Sequence, residues 1–107
     1  MASTHHEQLA DQLKEAAATY VSLWSNRKSL ITVTDIKLTR KADKATFLVS
    51  VFPPEAQGPA IGFLMRKRGE CHNYLKDHVS VGRVPHVEFV LDEGEKNRQR
   101  VEELLQQ

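Results

Sequence analysis

Arg66-Lys67-Arg68-Gly69 is where the chain concentrates its chemistry. Three cations and a glycine interrupt a helical pattern, and an amphipathic stretch over residues 71–79 begins two residues later. The start of a helix carries free amides and the positive end of the macrodipole, so cations beside it suit an anion such as phosphate. Gly69 is expected to let the backbone turn sharply between two helices and approach a ligand closely. Arg83 lies just ahead of the strand pattern Val87-Glu88-Phe89-Val90-Leu91 and extends the positive face, while His72 and Lys76 occupy the polar side of the second helix. The chemistry this implies is docking of RNA phosphates rather than conversion of a small molecule.

Cys71, His72, Asp77 and His78 are the other reactive group, a thiol with possible bases beside it. Helical phase argues against catalysis. Cys71 and His78 fall on the apolar stripe, where a lone cysteine is a small buried hydrophobe, and His72 points about a third of a turn away. The paired Cys or His spacings of a tetrahedral metal site are missing from this group. A Gly-x-x-Gly loop of the kind that clamps single-stranded RNA is also absent: Gly58 and Gly62 are four apart, and Gly69 has no partner at the needed spacing. Recognition of folded RNA by shape and phosphate is the expectation that remains.

Charge is distributed unevenly along the 107 residues, although the formal net charge is only +1. Residues 26–52 carry six Lys/Arg against two Asp/Glu, and residues 59–85 carry five against two. The ends are acidic: one against three over residues 1–25, and three against six over residues 86–107. A basic middle between acidic ends implies one positive face. Arg27, Lys28, Arg40, Lys41 and Lys44 form a second basic group in loops around the first hairpin, where solubility is the default role. The length fits one domain over residues 1–107. A single cysteine, no apolar run of membrane-spanning length and no signal or transit pattern at the N-terminus point to a reducing, cytoplasmic compartment and no membrane partner.

The elements that position these residues follow from periodicity. Thr4 with Glu7 forms a capping box, and Leu9, Leu13, Ala16, Ala17, Tyr20, Val21 and Trp24 recur at helical spacing. A strand over residues 30–38 changes phase near Thr34-Asp35, which predicts a β-bulge. A second strand follows through Phe52, and Pro53-Pro54 stops it. Pro59 suits the first turn of a short helix bearing Ile61, Leu64 and Met65. Cys71, Tyr74, Leu75, His78 and Val79 mark the next helix, residues 87–91 a third strand, and Asp92 with Glu95 caps a thin closing helix. The order predicts an α+β domain with a three-stranded mixed sheet covered by helices on one face. On the open face, Leu48, Phe52 and Val90 are expected to form a small apolar patch.

This α-β-β-α-α-β order with an appended C-terminal helix is that of a type II KH-like domain, and several blocks resemble the ribosome-binding factor A family. They are Ile31-Thr32-Val33-Thr34-Asp35-Ile36-Lys37-Leu38, Ala45-Thr46-Phe47-Leu48-Val49-Ser50-Val51, Arg83-Val84-Pro85-His86-Val87-Glu88-Phe89-Val90-Leu91-Asp92-Glu93 and Val101-Glu102-Glu103-Leu104-Leu105. The family's Ala-x-Gly kink corresponds here to Lys67-Arg68-Gly69, with lysine in place of alanine. The resemblance implies a non-catalytic assembly factor, without cofactor or metal, that binds the immature 30S subunit through 16S ribosomal RNA as a monomer. The RNA-contacting residues expected here are Arg66, Lys67, Arg68, Gly69, His72, Lys76 and Arg83. The alternative function is a KH-shaped protein adaptor working through the Leu48, Phe52 and Val90 patch.

Overall fold

A computed structural model describes residues 4–80 and 83–94 of the chain. Helix α1 (His5–Ser22) begins where the capping box predicts, with the Thr4 hydroxyl accepting from the Glu7 amide at 3.0 Å. Strands β1 (Leu30–Leu38) and β2 (Lys44–Phe52) form an antiparallel hairpin. A 3-10 turn (Pro54–Ala56) leads into α2 (Gln57–Arg66), then α3 (Arg68–His78) and β3 (His86–Leu91). Pro59 sits in the first turn of α2, where its missing amide hydrogen costs no intrahelical bond. The predicted closing helix lies outside the described residues.

The sheet order is β1-β2-β3, and β2 pairs with β3 in parallel. A parallel neighbour requires a crossover, which α2 and α3 supply. Alternation along β2 turns Ala45, Phe47, Val49 and Val51 toward the helices, where Leu9, Leu13, Tyr20 and Val21 of α1, Leu64 of α2 and Leu75 of α3 complete one core. The predicted bulge is present. Register passes from Val33↔Val49 to Asp35↔Leu48, leaving Thr34 as the extra residue. Thr34 Oγ1 donates to Asp92 Oδ2 at 2.6 Å, tying the middle of β1 to the residue that follows β3.

No Asn-Gly or Asp-Gly pair shapes the hairpin loop, which is closed by side chains instead. Thr39 Oγ1 accepts from the Asp43 and Lys44 amides at 3.0 and 3.1 Å, and Ala42 takes the left-handed conformation at φ 59°. The outer edge of β3 is partly covered, because the Phe89 amide donates to Met65 Sδ of α2 at 3.4 Å. That contact blunts an edge that would otherwise accept another strand.

Three expectations need correction. The helix break falls at Lys67 (φ −94°, ψ 4°), while Gly69 lies inside the first turn of α3, where a Cβ would meet nothing within 4 Å. Glycine is therefore not what the turn requires; one residue in the bridge region ends α2 and starts α3. The helix accordingly begins three residues before Cys71. The apolar patch is also broken up. Leu48 is fully buried in the central strand between β1 and β3, whereas Phe52 lies beyond the end of the β3 pairing and stands 66 % exposed. Finally, His78 is exposed and stacks on Tyr74 with ring centroids 3.9 Å apart, rather than joining the core stripe.

Candidate nucleic-acid interface

The two helices meeting at Lys67 divide the basic run into different environments. Arg66 ends α2, and its guanidinium lies back along that helix, 3.4 Å from where a Cβ on Gly62 would stand. Lys67 turns the other way. Its Nζ sits 3.5 Å from Glu70 Oε2 and over the rings of Trp24 and Phe63, at 5.3 and 5.8 Å from their centroids. Glu70 Oε1 in turn accepts from the Tyr20 hydroxyl at 2.8 Å, so α1, α2 and α3 are joined through one carboxylate. Burial, and then the bond to Glu70, push the Tyr20 hydroxyl up to about 12.

Arg68 faces away from that cluster. Together with Gly69, His72 and Asn73 of α3 and His86 and Val87 of β3 it lines a shallow open cleft. Arg68, His72 and Lys76 are spaced i, i+4, i+8, which puts them on one side of α3. His72 is half-buried rather than free to reach out. Its Nε2 lies 3.3 Å from the Val84 carbonyl, an acceptor only, so the ring proton sits on Nε2. This bond holds the chain before β3 against α3 and brings Arg83, exposed and one residue earlier, beside the cleft. Among the described residues, Arg68, Lys76 and Arg83 have no carboxylate partner, unlike Lys67. On the neighbouring strand Lys44 pairs with Glu88 at 3.3 Å, and His86 lies 3.9 Å from the same carboxylate.

The structure thus gathers Arg68, Gly69, His72, Lys76 and Arg83 along the α3/β3 side and separates Arg66 and Lys67 from them. Asn73 and His86 were not singled out by sequence. Asn73 was in principle legible, four residues after Gly69 on the same helical face. His86 joins the cleft only through packing of β3 against α3, which no local pattern announces. Cys71 is fully buried, and burial with the nearby charge of Glu70 pushes its thiol up to about 12. Such a thiol is protonated at neutral pH and is a poor nucleophile. Among the described residues, no three His, Cys, Asp or Glu side chains are arranged to hold a metal ion.

A mixed three-stranded sheet with helices on one face, and an open cationic edge where the third helix meets the parallel strand, define a KH-like domain. The sequence model of ribosome-binding factor A matches residues 5–105, and the chain belongs to that family. Its fold is similar to the crystal structure of ribosome-binding factor A from Thermus thermophilus, with a TM-score of 0.71, 24% identity, and coverage of 83% of this chain and 97% of that one. The solution structure of a Thermotoga maritima protein described as a putative ribosome binding factor A gives a TM-score of 0.70 at 17% identity, covering 90% and 95% of the two chains. A homology model of the Thermus thermophilus factor, fitted into the cryo-electron-microscopy map of its complex with 30S, gives 0.66 at 26% identity, covering 78% and 90%. No curated protein sequence matches the chain.

Proposed function

We propose that this chain is a non-catalytic assembly factor that binds the small (30S) ribosomal subunit through folded 16S ribosomal RNA during late maturation. It works in the cytoplasm as a monomer, as one KH-like domain over residues 1–107. Family membership supports the subunit, and a relative's placement in a 30S complex agrees with it. The observation that carries the mode of binding is the set of cations Arg68, Lys76 and Arg83 on the α3/β3 side, free of carboxylates among the described residues. Phosphate gains most from charges that are exposed yet held in place, and His72 does the holding for Arg83. Gly69 leaves the backbone bare beside them. Arg66 and Lys67 belong to the margin of this footprint, and Lys67 exchanges an existing ion pair if it turns to RNA.

Co-sedimentation with purified 30S, 50S and 70S particles tests the reading. Binding is expected to free 30S particles, and to be lost in an Arg68→Glu/Lys76→Glu/Arg83→Glu variant that still folds. Affinity is expected to fall with salt at a log–log slope of roughly −0.7 to −0.9 per phosphate contacted. Binding indifferent to both salt and charge reversal overturns the site, and binding to none of the particles overturns the function.

A further inference from the structure

The three large apolar side chains that stand well exposed among the described residues, Leu23, Leu30 and Phe52, all belong to one end of the molecule, where α1 passes into β1 and β2 terminates. Leu30 and Phe52 are direct partners in the ladder. They project from the face away from the helices, since Ile31 and Val51 beside them point into the core. The next pair on that face, Thr32 and Ser50, is exposed as well.

Residues 23–29 between α1 and β1 form a pinned turn. Asn26 Oδ1 accepts from the Lys28 and Ser29 amides at 2.8 and 3.1 Å, Asn26 and Ser29 also pair through their backbones, and Ser25 Oγ accepts from the Ile31 amide at 3.0 Å. The tip so fixed presents Arg27 and Lys28, both exposed and, among the described residues, without a carboxylate partner. A preorganised cationic rim beside an apolar pair costs little further ordering when a partner docks.

We propose that this end is a docking surface for an acidic, amphipathic segment of a partner protein, with apolar side chains over Leu30 and Phe52 and carboxylates facing Arg27 and Lys28. The anatomy is that of a protein interface, an apolar centre with a charged rim. Single-stranded RNA is the weaker occupant, because successive bases need successive rings and Phe52 stands here between leucines. The surface is separate from the RNA site. His86 stands opposite Lys44, and Phe52 lies eight residues further along β2, roughly 26 Å away at strand spacing. A small-subunit particle therefore has room to engage both ends at once, and the partner segment is one presented by a protein of that particle; in this choice of particle the proposal rests on the function proposed above.

The test is photo-crosslinking in the complex with 30S particles, using Phe52→p-benzoylphenylalanine and, in parallel, Asn73→p-benzoylphenylalanine in the cleft, with the captured fragments mapped by mass spectrometry. Position 52 is expected to capture a protein peptide carrying Asp or Glu beside apolar residues. Arg27→Glu/Lys28→Glu is expected to cut that yield by roughly fivefold or more while capture of RNA from position 73 persists. Capture of RNA or of a second copy of this chain at position 52 overturns the proposal, as does silence at 52 while 73 captures RNA. Silence at both positions overturns the small-subunit reading, and this proposal with it.

Discussion

Lys67 and Arg68 are neighbours with the same charge, and the fold puts them to opposite uses. Lys67 is spent inside the molecule, on Glu70 and two aromatic faces, at the point where three helices meet. Arg68 opens onto the cleft with nothing acidic to hold it among the described residues. A basic run in a sequence is thus not a unit of binding. The break at Lys67 turns two adjacent cations to different sides, so that one locks the scaffold and the other is left for a ligand.

Raising the pH should strain the Lys67 side most. Tyr20, raised to about 12, keeps its proton in both folded and unfolded chains below pH 10, so its contribution is whole there. Between pH 10 and 12 the unfolded chain releases the proton first, and Tyr20 alone is expected to take about 3 kcal/mol off the stability, besides what the raised Cys71 thiol loses over the same range. Urea titrations across that range should show the loss, and Tyr20→Phe should remove this part of it. A slope unchanged by Tyr20→Phe breaks the picture of a built-in Tyr20–Glu70–Lys67 chain.

Charge reversal separates the neighbours directly. Lys67→Glu sets two carboxylates together and is expected to cost about 1 kcal/mol of stability, a modest figure because the ion pair is partly in solvent. Arg68→Glu should leave the melting temperature nearly unchanged and weaken 30S binding about tenfold at low salt. Equal effects of the two variants on binding erase the distinction. The smallest effect sharpens it. Gly69→Ala has open space for its methyl group in a helical position and is expected to raise stability by about 0.5–1 kcal/mol. If 30S binding weakens in that more stable protein, the bare backbone at Gly69 serves close approach to RNA.

The helix and strand order was legible because each element carries its own period, and the bulge because Ile31 and Val33 precede a change of phase to Ile36 and Leu38. The junction was not. Glycine is the residue that usually marks a break, yet the chain breaks at a lysine whose backbone angles many residue types can adopt. Burial of Leu48 escaped for a related reason: alternation assigns it to the face away from the helices, but says nothing of how far a position on that face is exposed. The division of the basic run depends on where Trp24 and Phe63 come to lie, a matter of packing between distant segments.

Thr34 gives β1 an uncommon kind of tolerance. Removing one residue from a strand normally reverses every side chain beyond the cut, turning a core face outward. Here residues 30–33 and 35–38 already alternate in a common phase once Thr34 is taken out, with Ile31, Val33, Ile36 and Leu38 all inward. The strand reads as a regular ladder with one residue spliced in. In a scan of single-codon deletions, position 34 is where β1 can shorten without exchanging its faces, at the loss of the Thr34 hydroxyl's contacts with Asp92 and the Leu48 carbonyl.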